Sequence, residues 1–117
     1  MLTNNVIPFT IPNNDSLSEA RDLTDFQICS LEMPAAWDAA SIIILACNTY
    51  GGTYKPVYDD GGIKASIVTD ANRMVSLSSN ALALASLKFI KLMSVSAADN
   101  TTAVNQTAAR LINMSVK

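Results

Sequence analysis

The sequence predicts an all-β protein, an antiparallel β-sandwich of about seven to nine short strands. Two observations carry this. Stretches rich in Ile, Val and aromatic residues recur along the chain, and several alternate between apolar and polar positions. Turn signals separate them at a spacing of roughly eight to twelve residues, the rhythm of a sandwich or barrel. A third observation sets the scale. The chain has 117 residues, 50% of them hydrophobic and 15% charged, enough for one domain with its own core. No repeat of fixed period appears, which disfavours a solenoid.

Residues 1–14 contain Pro8 and Pro12, which forbid a helix interior and disfavour a central strand. The segment reads as an extended arm or edge strand outside a domain spanning 15–117, with Val6, Ile7, Phe9 and Ile11 free to dock. In residues 15–23, Ser16 and Glu19 have capping-box spacing, but Leu17 and Leu23 are the only large apolar residues, so extended structure is favoured. Residues 25–33 read as a strand. Strict alternation would set Phe26, Ile28 and Ser30 on one side and Gln27, Cys29, Leu31 and Met33 on the other. Pro34 ends it, and a connection carrying Trp37 follows.

Residues 41–48 hold Ile42, Ile43 and Ile44 in succession, a strand covered on both faces or with one face in an interface. Gly51-Gly52 turns the chain, and 53–58 is the return strand. Asp59-Asp60-Gly61-Gly62 is the next turn. Then 63–69 is a strand, with Ile63, Ala65 and Ile67 on one face, and Asp70-Ala71-Asn72 turns again before the short strand 73–77. The Ala- and Leu-rich stretch 78–87 has room for one or two helical turns. Residues 87–95 are a strand and 97–102 a loop. The last stretch, 103–117, sets Ile112, Met114 and Val116 against Leu111, Asn113 and Ser115, a final strand with one buried face.

Composition removes several chemistries. With no His there is no His-based triad, His metal site or imidazole switch. Two cysteines, Cys29 and Cys47, cannot make a four-thiolate zinc site and read as free, buried, small hydrophobes. Eight Lys and Arg against ten Asp and Glu, with no basic run, argue against nucleic acid as principal partner. No apolar run approaches the roughly 20 residues of a membrane span. Met1 to Asn5 do not read as a secretory signal, so the expected place of synthesis and assembly is the cytoplasm.

No residue set points to catalysis. Nucleophile elbows, dinucleotide fingerprints and paired carboxylates are all missing, so the chain reads as non-enzymatic, with no cofactor or metal implied. Asp59 and Asp60 carry hard ligands for Ca²⁺, but turn chemistry explains each residue of that stretch. Tyr54 and Tyr58 lie four apart, so a regular strand would put them on one face as a sugar platform. Aromatic residues more often anchor cores and interfaces, and Trp37 is read that way.

A series of short pieces carries a resemblance. They are Ser16-Leu17-Ser18-Glu19-Ala20, Met33-Pro34-Ala35-Ala36-Trp37-Asp38-Ala39-Ala40, Tyr50-Gly51-Gly52-Thr53-Tyr54 and Tyr58-Asp59-Asp60-Gly61-Gly62. Ala71-Asn72-Arg73, Leu87-Lys88-Phe89-Ile90-Lys91-Leu92 and Val104-Asn105-Gln106 follow. Together, over roughly residues 11 to 116, they resemble small virion structural proteins of tailed bacteriophages. The chain departs from that pattern at Asn48-Thr49-Tyr50-Gly51 and at Leu92-Met93-Ser94-Val95. It also looks distantly like discoidin-type jelly rolls. The resemblance implies a jelly-roll capsid decoration, or cement, protein located in the virion. Its implied partners are the major capsid protein and further copies of itself, as a homodimer or homotrimer. The expected contacts are Val6, Ile7, Phe9 and Ile11 toward the capsid, and Ile42, Ile43, Ile44 and Trp37 toward capsid or subunit. A carbohydrate-binding module using Tyr54 and Tyr58, or a neck, tail or head-fibre component, is the alternative expectation.

Overall fold

The computed structural model describes residues 5–77 and 87–117. Among these, nine strands form: β1 (Asn5–Ile11), β2 (Arg21–Asp22), β3 (Ile28–Glu32), β4 (Ser41–Cys47), β5 (Lys55–Pro56), β6 (Ser66–Ile67), β7 (Met74–Ser76), β8 (Phe89–Val95) and β9 (Arg110–Val116). Of the stretch 78–87, where one or two helical turns are expected, all but Leu87 lies outside the described residues.

Two antiparallel sheets pack face to face. One has the order β1-β9-β3-β7; the other has β2-β8-β4, with β5 and β6 sharing the far edge of β4. If β5 and β6 count as one interrupted strand, the pairs β1–β9, β2–β8, β3–β7 and β4–β5/β6 are the rungs of one long hairpin bent at 48–54. Rolling that hairpin adds the β3–β9 and β4–β8 pairings. This is jelly-roll topology. Each sheet has an apolar face to hide, and rolling brings the two faces together.

Alternation explains most of the core. Ile112, Met114 and Val116 of β9 are fully buried, as their spacing requires. Ile90 and Leu92 of β8 and Ile42 and Ile44 of β4 face them from the other sheet. In β3 strict alternation fails. A β-bulge between Ile28 and Ser30 inserts Cys29, so Ile28 and Leu31 both point inward. The two sides expected for 25–33 are thereby corrected. Neither cysteine is fully buried: Cys29 in the bulge and Cys47 at the end of β4 are both free and half-buried.

The first strand is built into the sandwich. All seven residues of β1 pair with β9, from Asn5 opposite Val116 to Ile11 opposite Arg110. The Pro8 carbonyl and the Thr10 amide both point away from β9. Arg21 Nε donates to the first at 2.9 Å, and the second donates to Glu19 Oε1 at 2.9 Å. The pairing of Pro8 therefore costs no ladder bond, and two side chains blunt the free edge. This also accounts for Glu19, which caps no helix. The segment 16–18 runs beside β8, with Ser18 N–H donating to Leu92 O at 2.9 Å and Leu92 N–H donating to Ser18 Oγ at 2.8 Å.

The turns use the chemistry expected of them. Asp59 Oδ1 accepts from the amides of Gly61 and Ile63, both at 2.9 Å, and Gly62 takes φ 83°. Asn72 and Asn100 adopt left-handed backbone, which Asn tolerates. In the loop after β8, Asp99 Oδ1 accepts from Thr101 and Thr102 N–H, both at 2.9 Å, and Thr102 Oγ1 donates to Oδ2. The Thr102 hydroxyl, then the two amides, hold the Asp99 pKa at about 2, below its ordinary 3.8. A depressed carboxylate adds stability above its unfolded pKa that is lost as pH falls through the folded one. Asp99→Asn is therefore expected to lower Tm at neutral pH, with the difference closing between about pH 4 and pH 2. Thermal melts across that range check this; a Tm gap that persists at pH 2 would refute it.

Candidate functional site

Most residues expected to make contacts lie inside. Phe9, Ile11, Ile42 and Ile44 have 0% exposure and belong to the core between the sheets. Ile43, on the opposite face of β4, is 2% exposed. Trp37 is 8% exposed, with its indole Nε1 donating to Ala40 O at 3.2 Å. None of these offers surface to a partner, because each is already covered by its own chain. Ile7 is half-buried, and of the expected set Val6 alone is open, on the outer face of the first sheet.

That outer face is nearly free of charge. Register lines up Val6, Ser115, Ser30 and Ser76 in one row and Pro8, Asn113, Glu32 and Met74 in the next. Thr10 pairs with Leu111. Val6, Met74 and Leu111 are exposed large hydrophobic side chains on it, and Pro8 is exposed beside them. Glu32 is the charged side chain in these rows, and it accepts from Asn113 Nδ2 at 3.1 Å. The Ser30 and Ser115 hydroxyls bond each other, so much of the face's polarity is satisfied internally.

The second candidate surface lies where β4 leaves its sheet. Loop 48–54 folds Tyr50 against Phe89, edge to face, with ring centres 5.7 Å apart. Tyr54 Oη donates to Tyr50 O at 2.7 Å, and Lys91 Nζ stands 4.6 Å from the Tyr54 ring centre. Tyr58 is placed elsewhere. It pairs with Lys64, whose Nζ is 5.9 Å from its ring, at the base of the Asp59 turn. Tyr54 and Tyr58 thus have separate neighbours, Lys91 and Lys64. Only Lys55–Pro56 of the expected return strand is regular, although Val57 N–H still donates to Ile44 O at 3.0 Å.

Beside this aromatic group is a groove of about 310 Å³ lined by Ala46, Cys47, Asn48, Thr49, Thr53 and Lys55. The turn depends on Gly52, where a Cβ would collide with the Thr49 hydroxyl and the Cys47 sulfur. Thr49, through its amide and then its hydroxyl, lowers the Cys47 pKa; the Asn48 amide and nearby Lys55 add to this. Burial, followed by the neighbouring Cys47, raises the Tyr54 hydroxyl pKa.

A third feature, missed from sequence, is a polar clamp on Gln106, which has 0% exposure. Its Oε1 accepts from Asp38 N–H at 2.9 Å, and its Nε2 donates to Asp38 O at 3.2 Å. Arg110 pairs with Asp38 at 2.5 Å, and this pairing leads the lowering of the Asp38 pKa. Nothing in residue type singles out Gln106, since its partner is 68 residues away. The arrangement ties the Trp37 connection to the start of β9 and is structural.

Among the described residues, no group of three acidic or Cys side chains is placed to hold a metal. Comparison of the chain with protein-family models, curated proteins and solved structures returns no match.

Proposed function

We infer that the chain is a non-enzymatic structural protein of a tailed-phage virion. On this reading it decorates the capsid, binding the assembled shell and stabilising it. The observation that favours this reading is the outer face of the β1-β9-β3-β7 sheet, a broad strand surface with Val6, Met74 and Leu111 exposed and a single charged position in its paired rows. Depletion of charge marks the centres of protein interfaces. The resemblance over residues 11 to 116 supplies the setting, with the major capsid protein and further copies of this chain as partners. Many copies that bind only the closed shell stabilise it by mass action.

Reconstitution tests this. Purified protein is added to capsids lacking it, and bound copies are followed by sedimentation and cryo-electron microscopy. Stoichiometric, symmetric binding is expected, and Leu111→Asp with Met74→Asp should reduce occupancy about tenfold or more while Tm stays close to the parent's. Occupancy at a single vertex would move the protein to neck or tail. Folded protein that does not bind the particle would overturn the reading.

A further inference from the structure

The groove at the end of β4 carries an inference independent of the virion reading. We propose that it binds an acidic saccharide, one carboxylated sugar ring seated among Asn48, Thr49, Thr53 and Lys55. At about 310 Å³ it has the size of a small-ligand site rather than a channel for a polymer strand. Its lining offers one amide, two hydroxyls and one ammonium, with no carboxylate. An amide and hydroxyls both donate and accept, which suits a polyhydroxylated ligand. A lone ammonium without an acid in the lining suits one negative charge and opposes a cation. The rim is held firmly, because Lys55 pairs with Ala46 across β4 and β5 and the Tyr54 hydroxyl anchors Tyr50 O. Tyr50 is 66% exposed on the same loop and packs edge-on against Phe89, giving an adjoining sugar ring an aromatic surface.

A nucleic acid fits less well. A bound strand needs a basic track of several phosphate contacts, whereas the lining holds one cation and the chain has net charge −2.

The test is titration of isotope-labelled protein with trigalacturonate, neutral galactotriose and oligothymidylate, reading amide shifts. Trigalacturonate should move the amides of residues 48–55, weaken with added salt and protect Cys47 from iodoacetamide, read by peptide mass so that Cys29 is distinguished. Lys55→Gln, at an exposed position, should weaken trigalacturonate about tenfold, and Thr53→Val should weaken it by less. Four results would each overturn the proposal: no shifts in that loop, equal binding of galactotriose, tighter binding of oligothymidylate there, or unchanged affinity in Lys55→Gln with the fold intact. Capsid occupancy of Lys55→Gln should equal the parent's, so failure here and failure of the decoration reading are separable.

Discussion

Phe9→Ala is expected to destabilise the protein by about 3–5 kcal/mol, the usual cost of emptying a buried phenylalanine site. Phe9 is fully buried opposite Ile112, and its ring belongs to the cluster between the two sheets. Both the transfer of the ring into water and the cavity left behind contribute. Val6→Ala, three residues away on the open face, should change stability by no more than about 0.5 kcal/mol. Urea unfolding followed by circular dichroism measures both. If Phe9→Ala itself does not fold, Phe9→Leu should show a smaller loss, because most of the volume is kept. Equal, small effects at Phe9 and Val6 would mean that β1 is a loosely held arm after all. The distinction matters for function: cutting away residues 1–12 would remove a paired sheet edge, so capsid occupancy lost by truncation would report unfolding. Occupancy is better probed at Val6, Met74 and Leu111.

The second large effect is expected at Gln106. Gln106→Leu keeps bulk but leaves both main-chain groups of Asp38 without their side-chain partner. An unmet buried polar group costs about 1–3 kcal/mol, and the Asp38 groups are only partly buried, so a total loss of roughly 1–3 kcal/mol is expected. Arg110 also loses a 3.3 Å contact to the amide oxygen, loosening its hold on Asp38. Gln106→Glu sets a carboxylate oxygen against Asp38 O in a fully buried site, so it should destabilise at neutral pH too, with the loss easing as the carboxyl protonates at low pH. Chemical denaturation of the three proteins checks this; a Gln106→Leu variant as stable as the parent would show that the clamp contributes nothing.

The site was only partly legible. Tyr54 is conspicuous as an aromatic residue, and its spacing from Tyr58 suggests one shared face. What the spacing does not show is their separate partners, Lys91 for Tyr54 and Lys64 for Tyr58. Lys91 and Phe89 could have been placed on one face by their spacing in the β8 stretch. Thr49, Thr53 and Lys55 carried no signal, because a polar groove is made by where a loop turns. The contact candidates Phe9, Ile11, Ile42 and Ile44 were conspicuous for hydrophobicity alone. That property marks core and interface alike.

What the sequence by itself determined is the all-β class, the turns and the buried faces of the regular strands. Alternation and turn chemistry are local, set by backbone geometry and by residues such as Asp59, Gly62 and Asn72 within a few positions. The tertiary structure decided the rest. Pairing of β1 with β9 joins the two ends of the chain, the bulge at Cys29 reverses half of a strand's faces, and Gln106 finds Asp38 across 68 residues. Such choices depend on which apolar faces meet when the long hairpin rolls. That is a property of the whole chain, since each long-range pairing is worth its closure entropy only once the others have formed.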